Sequence, residues 1–139
     1  MIDMPHDLEA EPLASPPRYR ILVIEDHPST LNMVGEILED AGYEPVLALG
    51  GNAGIRLLRQ ETINLVLLDL ILEDMDGWTV LKTIKMDPDL GSTPVIIVTA
   101  RTKMQEAHAL KSHEGLFEGY VLKPFLPDRL LAHVREVLL

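Results

Sequence analysis

Five short apolar runs, separated by segments with a helical repeat, place the strongest constraint on the fold of this chain. Four of these runs are followed at once by polar residues, and the first, residues 21–24, leads directly into Glu25 and Asp26. Continuous apolar runs of this length are typical of strands that are buried on both faces of a sheet. The sequence therefore predicts five strands, at residues 21–24, 43–49, 63–68, 95–98 and 120–122, and those at 21–24 and 63–68 are expected to be buried.

The segments between and after these runs predict five helices. In the first, apolar residues recur at the three- and four-residue spacing of one helix face, Pro28 fits the first turn, and Gly42 supplies a stop. The fourth helix has only a thin apolar face. The predicted helices cover residues 29–41 and 52–60, a segment through Trp78, Leu81 and Ile84, residues 104–112, and a last segment that starts at Pro127.

The alternation of strands and helices predicts the fold class. It implies right-handed crossovers and a parallel sheet that is covered by helices on both faces. Pro45 cannot donate to a strand ladder, so the strand at residues 43–49 belongs at a sheet edge. We therefore expect an α/β, doubly wound, three-layer fold with strand order 2-1-3-4-5, in which ligands bind outside the carboxyl ends of the strands.

The chain length predicts a single domain. With 139 residues, 47% of them hydrophobic, the chain can bury one core but not two. Residues 1–18 are rich in acidic residues and prolines and poor in large apolar side chains. Such a composition favours a flexible tail, which leaves residues 19–139 as the folded domain.

Composition also excludes several classes of function. The chain has no cysteine, which excludes a disulfide framework and a thiolate zinc site. Its formal net charge of −10 repels phosphate backbones and anionic lipids, so we expect no direct binding of nucleic acid or membrane. The sequence shows no basic, apolar leader, and its apolar runs are too short to cross a bilayer. We expect a cytoplasmic protein.

Five polar residues follow or end four of the predicted strands. Because parallel strands have their carboxyl ends at one edge of a sheet, these side chains are expected to converge there. They are Glu25 and Asp26 after the first strand, Asp69 after the third, Thr99 after the fourth and Lys123 after the fifth.

This set of residue types indicates a particular chemistry. Three carboxylates placed together repel one another and attract a hard divalent cation, and Mg²⁺ suits a site made of oxygen ligands. Lys123 and Thr99 add a positive charge and a hydroxyl, the groups that a phosphoryl oxygen seeks. A carboxylate nucleophile, a metal ion and a lysine together form an aspartyl-phosphate site.

Four motifs resemble those of the receiver domains of two-component response regulators. The resemblance covers residues 20–139, and the motifs occur in the family's order. It implies a flavodoxin-like (βα)5 fold and a phosphoacceptor domain rather than an enzyme. The motifs are Ile-Leu-Val-Ile-Glu25-Asp26-His-Pro, Leu-Leu-Asp69-Leu-Ile-Leu-Glu-Asp-Met-Asp76-Gly77, Val-Thr99-Ala100 and Tyr120-Val-Leu-Lys123-Pro124-Phe125.

The resemblance also implies a role for each site residue. Asp69 would take a phosphoryl group from a phosphohistidine on a sensor histidine kinase or a phosphotransfer protein. Lys123, Thr99 and Ala100 would bind the phosphoryl oxygens. Mg²⁺ or Mn²⁺ would be held by Glu25, Asp26, Asp69 and the backbone carbonyl of Ile71. A cis peptide bond before Pro124, affordable only before proline, would aim Lys123 inward.

In receiver domains the bound phosphoryl group changes a signalling surface. The resemblance implies that Thr99 moves towards the new charge and that Tyr120 turns into the vacated space. The surface formed by the fourth helix, the fifth strand and the fifth helix would then bind an unidentified protein target. Since the sequence ends soon after the last predicted helix, we expect output to pass through such partners. Apolar surface left over on the last helix could also support a homodimer.

Two residues near the acceptor suggest a hypothesis about phosphoryl lifetime. Ile71 and Arg101, each two residues beyond a site residue, would overhang the phosphoryl group. An apolar side chain at position 71 would obstruct the attacking water and prolong the life of the phosphoaspartate.

Structural interpretations of single residues stay open. Asp26 can also cap the first helix, and Tyr120 is nearly as well explained by core packing. His108 and His113 are five residues apart and therefore do not share a helix face, which favours surface roles for the histidines.

Two other functions compete with a phosphorylated switch. A pseudo-receiver would keep the fold as a binding module that works without phosphate, but the complete set of five polar residues disfavours it. A flavin-binding protein of similar fold would need a phosphate-cradling first loop rich in glycine or hydroxyl groups. Here that loop is acidic, which disfavours flavin binding.

Overall fold

A single sheet of five parallel strands organises residues 18–139, the part of the chain that the computed structural model describes. The strands lie in the order β2-β1-β3-β4-β5, and every neighbouring pair is parallel. The predicted topology is thus confirmed, with the Pro45 strand at an edge. The strands are β1 (Arg20–Glu25), β2 (Glu44–Leu49), β3 (Leu65–Leu68), β4 (Val95–Thr99) and β5 (Gly119–Leu122).

Five helices connect and follow the strands of this sheet. They are α1 (Pro28–Asp40), α2 (Gly51–Gln60), α3 (Gly77–Met86), α4 (Ala107–Ser112) and α5 (Pro127–Leu138). The described helices include none that is both long enough and apolar enough to cross a membrane. The flexible tail expected at residues 1–18 falls almost entirely on residues 1–17, which lie outside the described residues.

The two faces of the sheet build two separate hydrophobic clusters. Side chains alternate along each strand, so that Leu22 and Ile24 of β1 join one cluster while Ile21 and Val23 join the other. The first cluster packs against α2, α3 and the partly buried side of α4, and the second against α1 and α5. Strands buried on both faces explain why the apolar runs are continuous rather than alternating.

Two predicted starts differ from the structure by more than one residue. β3 begins at Leu65 rather than at residue 63, because the Asn64 side chain replaces a backbone acceptor at the start of the β1–β3 pairing: its Oδ1 accepts the Arg20 amide at 2.7 Å. α4 begins at Ala107 rather than at residue 104. The preceding residues form a turn in which the Thr102 amide donates to Gln105 Oε1 at 2.8 Å. None of the residues of α4 is fully buried, which agrees with its thin apolar face.

The suggestion that Asp26 caps the first helix is wrong. His27 occupies the N-cap position of α1 and makes no side-chain cap bond. The Asp26 carboxylate turns instead towards the loop after β3, where its Oδ2 accepts the Glu73 amide at 2.7 Å. Asp26 is therefore oriented by the loop that also carries Asp69.

Gly77, the first residue of α3, fixes how that loop closes. Its amide donates to Leu70 O at 3.0 Å. A Cβ atom added here would lie 2.4 Å from Leu70 Cα and 2.5 Å from Asp69 O. Contacts this short with backbone atoms force the chain to shift, so only glycine allows α3 to begin this close to the end of β3.

We expect Gly77→Ala to lower the free energy of unfolding by about 1–3 kcal/mol, because the added methyl group overpacks a backbone contact. Urea denaturation would measure the loss. Gly119→Ala is the matched control, since its Cβ would meet no atom closer than 3.4 Å. Equal losses in the two variants would contradict this account of Gly77.

Candidate functional site

The carboxyl edge of the sheet carries most of the polar residues that the sequence singled out. Glu25 and Thr99 are the last residues of β1 and β4, and Asp69 and Lys123 directly follow β3 and β5. All four come from neighbouring strands and therefore meet at one edge. Among the described residues only three polar or charged side chains are buried, and all three belong to this set: Glu25, Asp69 and Thr99.

Lys123 joins two of the acids directly. Its ammonium group donates a hydrogen bond to Glu25 Oε1 and another, at 2.9 Å, to Asp69 Oδ2. The side chains of Glu25 and Asp69 are only 4% and 6% exposed, so water does little to screen either contact. Burial alone would lower the pKa of Lys123, but the hydrogen bonds to Glu25 and Asp69 outweigh it and raise that pKa above its ordinary value.

Asp69 is held in place by two further hydrogen bonds. Its amide donates to Ile24 O at 3.1 Å, which extends the pairing of β3 with β1. Its Oδ1 accepts the Ile71 amide at 3.0 Å, and its Oδ2 faces Lys123. The Ile71 side chain itself is 42% exposed at the mouth of the site. Asp69 thus presents an oriented carboxylate beside a fixed positive charge.

Asp26 and Glu25 both lie beside His27, whose side chain is exposed, as was expected for the histidines. The ring Nδ1 of His27 lies 3.1 Å from Glu25 Oε2 and 3.4 Å from Asp26 Oδ1. Ligand atoms of these three residues all lie within 4.8 Å of one another, which is close enough to hold one metal ion. Asp69 is not part of this group. The signal for His27 was its position directly after the two acids.

Thr99 and Ala100 lie at the end of β4. Thr99 is fully buried, and its Oγ1 accepts the Arg101 amide at 3.3 Å. Ala100 is exposed and lines an apolar hollow together with Pro124 and Phe125. The peptide bond between Lys123 and Pro124 is cis.

The Tyr120 hydroxyl is bonded to the segment that directly follows β4. This group donates to Arg101 O at 2.6 Å, and the ring packs edge-on against Phe117. Tyr120 also lies against the cluster that contains α2 and α3, so it contributes to packing as well. Burial, reinforced by the negative charge of Glu106, raises the pKa of Tyr120 to about 12.

The Arg101 guanidinium is bound to a nearby carboxylate. Its NH1 donates to Glu106 Oε2 at 2.9 Å, and Glu106 Oε1 accepts the Trp78 indole N–H at 2.7 Å. No pattern in the sequence predicts these contacts. Trp78 and Glu106 are 28 residues apart, and no local repeat connects them.

The charges of this site suit a small divalent cation. Glu25, Asp26 and Asp69 bring three carboxylates, and Lys123 brings one ammonium, which leaves two formal negative charges. A hard cation with oxygen ligands would neutralise that excess, and the His27 nitrogen lies beside the oxygens. The arrangement combines an oriented carboxylate, a neighbouring lysine and a place for a cation, which are the requirements of phosphoryl transfer.

Comparison with known proteins points to one family. A family model described as the response regulator receiver domain matches residues 21–135. The DNA-binding dual master transcriptional regulator RpaA of Synechocystis is 34% identical over 119 residues, which are 86% of this chain and 48% of RpaA. The chain likewise spans about half the length of several other curated relatives that it matches.

Two solved structures extend the similarity to three dimensions. A CheY-like receiver domain protein from Methanospirillum hungatei JF-1 has a TM-score of 0.76 and 30% identity, covering 88% of this chain and 94% of its own. The response regulator TrrA from Thermotoga maritima, solved in complex with Mg²⁺-BeF, has a TM-score of 0.75 and 25% identity, covering 86% of this chain and 98% of its own.

We expect Lys123→Met to lower the free energy of unfolding by about 1–3 kcal/mol, because Glu25 and Asp69 would stay buried without their shared counterion. The loss should be smaller than for a fully buried pair, since the Lys123 side chain is 20% exposed. Urea denaturation at neutral pH in EDTA would measure it. Lys82→Met, at an exposed position of α3, is the control, and a comparable loss there would refute the assignment.

The raised pKa of Tyr120 predicts a loss of stability in strong alkali. Below about pH 10 the phenol is protonated in both folded and unfolded chains, so its contribution to stability is complete. It is lost as the pH rises through about 12, where the folded protein also ionises. The stability difference between the wild type and Tyr120→Phe should therefore shrink over this range in urea titrations. A constant difference would contradict the shift.

Proposed function

This chain belongs to the response regulator receiver domain family, and we propose that it is a phosphorylation-dependent switch whose phosphoacceptor is Asp69. The observation that carries the proposal is the placement of Asp69 beside Lys123 and Glu25, at the sheet edge where this fold binds its ligands. The family match over residues 21–135 covers all of these positions.

The proposed reaction moves a phosphoryl group from nitrogen to oxygen. A carboxylate oxygen of Asp69 attacks the phosphorus of a phosphohistidine on a sensor histidine kinase or a phosphotransfer protein. A P–O bond forms, the P–N bond breaks, and the electron pair of that bond returns to the imidazole, which takes up a proton. Lys123, already 2.9 Å from Asp69 Oδ2, stabilises the negative charge of the phosphoryl oxygens. Thr99 and Ala100 offer a hydroxyl and an amide to the same oxygens.

Receiver domains typically bind Mg²⁺ in an acidic pocket, and the residues at this edge fit such an ion. We propose that Glu25, Asp26, Asp69 and the backbone carbonyl of Ile71 hold Mg²⁺ or Mn²⁺. The net negative charge of the site and the spacing of the Glu25 and Asp26 oxygens support this proposal, as does the Mg²⁺-BeF complex of TrrA. The cation would supply positive charge that offsets the charge of the incoming phosphoryl group.

The switch itself follows from the charge that phosphorylation adds. A phosphoryl group brings about −1.5 to −2 charges at neutral pH, which would draw in the Thr99 hydroxyl. That hydroxyl and Tyr120 both bond to Arg101, so a movement of Thr99 reaches Tyr120 through one residue. A complete reversal of a two-state equilibrium needs about 5.5 kcal/mol. One or two new charged hydrogen bonds give less, so we expect a partial shift that a partner completes.

We propose that the signal leaves through the surface made by α4, β5 and α5. Its target is a protein, since the net charge of −10 opposes direct contact with nucleic acid or anionic membrane. A second copy of the chain is one possible partner. The absence of cysteine is compatible with the cytoplasmic setting that we propose for this exchange.

The first experiment is incubation with acetyl phosphate and Mg²⁺, followed by intact mass measurement. We expect one phosphate adduct that requires Mg²⁺, disappears in Asp69→Asn and is strongly reduced in Asp26→Asn. Asp89→Asn makes the same change at an exposed aspartate beyond α3 and should keep the adduct. If Asp69→Asn is still modified to the same extent, Asp69 is not the phosphoacceptor. If the wild type is not modified at all, a phosphate-independent binding module becomes the better interpretation.

A second experiment concerns the lifetime of the phosphoryl group. Ile71 keeps an exposed, apolar side chain beside Asp69, and we propose that it obstructs the attacking water. Ile71→Asn should speed the loss of phosphate several-fold, measured by the decay of the adduct after the donor is removed. Leu49→Asn, at an exposed leucine on the edge strand β2, should leave the rate unchanged. An unaltered rate in Ile71→Asn would refute the obstruction.

A further inference from the structure

Glu106, the residue directly before α4, uses its side chain to join two distant parts of the chain. It sits at the N-cap position of α4 but makes no side-chain cap bond there. Instead, its Oε1 accepts the Trp78 indole N–H at 2.7 Å and its Oε2 accepts the Arg101 guanidinium at 2.9 Å. The side chain is only 11% exposed. Both carboxylate oxygens are therefore engaged in charge-assisted hydrogen bonds, and the one to Trp78 is better shielded from water than the one to the half-exposed Arg101.

The Trp78 end of this connection is rigid. Trp78 is 6% exposed and belongs to the core cluster beneath α2 and α3. Its ring stacks on His113 at a centroid distance of 4.6 Å and meets the edge of Phe117 at 6.0 Å. The indole cannot move far without opening this packing. Trp78 consequently fixes the position of the Glu106 carboxylate.

The Arg101 end lies next to the candidate site. β3 and β4 are neighbouring parallel strands, so Arg101, two residues beyond β4, lies at the same edge as Asp69. Its amide bonds to Thr99 and its carbonyl to Tyr120. The guanidinium is half-exposed and carries a charge that an anionic group on Asp69 would attract, but Glu106 already neutralises it.

We propose that Glu106 is a positioning residue that, anchored on Trp78, withholds the Arg101 guanidinium from the Asp69 pocket and so sets how tightly that pocket holds a phosphoryl group. The inference rests on the proposed function, because it concerns the same pocket. Glu106 thereby changes the affinity of the pocket for the phosphoryl group without contacting that group itself. The Arg101 guanidinium can bind the phosphoryl group only if its ion pair with Glu106 breaks.

The test uses beryllofluoride with Mg²⁺ as a stable substitute for the phosphoryl group, with ¹⁹F NMR to follow its binding. Glu106→Gln keeps an oxygen acceptor for Trp78 but loses the charge that holds Arg101. We expect the binding midpoint, which is the beryllofluoride concentration at half-saturation, to fall about two- to fivefold. This is the size expected from breaking one partly exposed ion pair. Glu114→Gln removes an exposed carboxylate just beyond α4 and should leave the midpoint unchanged.

Arg101 provides the second half of a double-mutant cycle. Arg101→Gln alone should leave the midpoint within about twofold of the wild type, because Glu106 already withholds the guanidinium. In the Arg101→Gln background, Glu106→Gln should then have no effect. A merely structural role for Glu106 would lower the thermal unfolding temperature without this dependence on Arg101. Should Glu106→Gln fail to fold, the single Arg101→Gln variant still tests whether the guanidinium is withheld.

The outcomes separate this inference from the proposed function. If the wild type binds beryllofluoride and Glu106→Gln leaves the midpoint unchanged, only the inference is overturned. The same holds if the shift persists without Arg101, if Glu114→Gln produces it equally, or if Arg101→Gln alone weakens binding strongly. A wild type that binds no beryllofluoride overturns the proposed function and this inference with it.

Discussion

Carboxylates crowd the carboxyl edge of this sheet, and their mutual repulsion is the constraint on which the site depends. Glu25 and Asp69 are almost completely buried there, which would be costly if Lys123 did not donate to both. Lys123 neutralises only part of the negative charge of the carboxylates. The remaining negative charge favours the binding of a cation at this edge. One unfavourable concentration of negative charge therefore explains the partly buried lysine and the suitability of the pocket for phosphoryl chemistry.

The apolar layers on either side make this concentration possible. Strands buried on both faces hold their carboxyl ends rigidly, because α1 and α5 cover one face and α2, α3 and α4 cover the other. Gly77 lets α3 start against the backbone of Asp69 and Leu70. The loop after β3 is tied down further by Asp74, whose carboxylate accepts the amides of Gly51 and Asn52 at the start of α2. These two hydrogen bonds lower the pKa of Asp74.

The segment that joins β4 to α4 is less firmly packed and therefore suited to movement. α4 buries no residue completely, and the place of the segment depends on polar contacts made by Arg101 and Glu106. Contacts of this kind can be exchanged at small cost in free energy when a new charge arrives. A rigidly placed carboxylate beside a segment held by exchangeable polar contacts is an arrangement in which a local change in charge can alter a surface elsewhere.

The sequence by itself determined the strand order, the edge position of the Pro45 strand and the convergence of Glu25, Asp69, Thr99 and Lys123, because apolar periodicity and parallel topology dictate where strand ends lie. It misplaced the starts of β3 and α4, where side chains such as Asn64 and Gln105 replace or interrupt the regular backbone pattern. Only the tertiary structure decided that His27 turns back onto Glu25 and that Glu106 joins Trp78 to Arg101. The last of these depends on which helix faces which loop, and a linear pattern does not encode that.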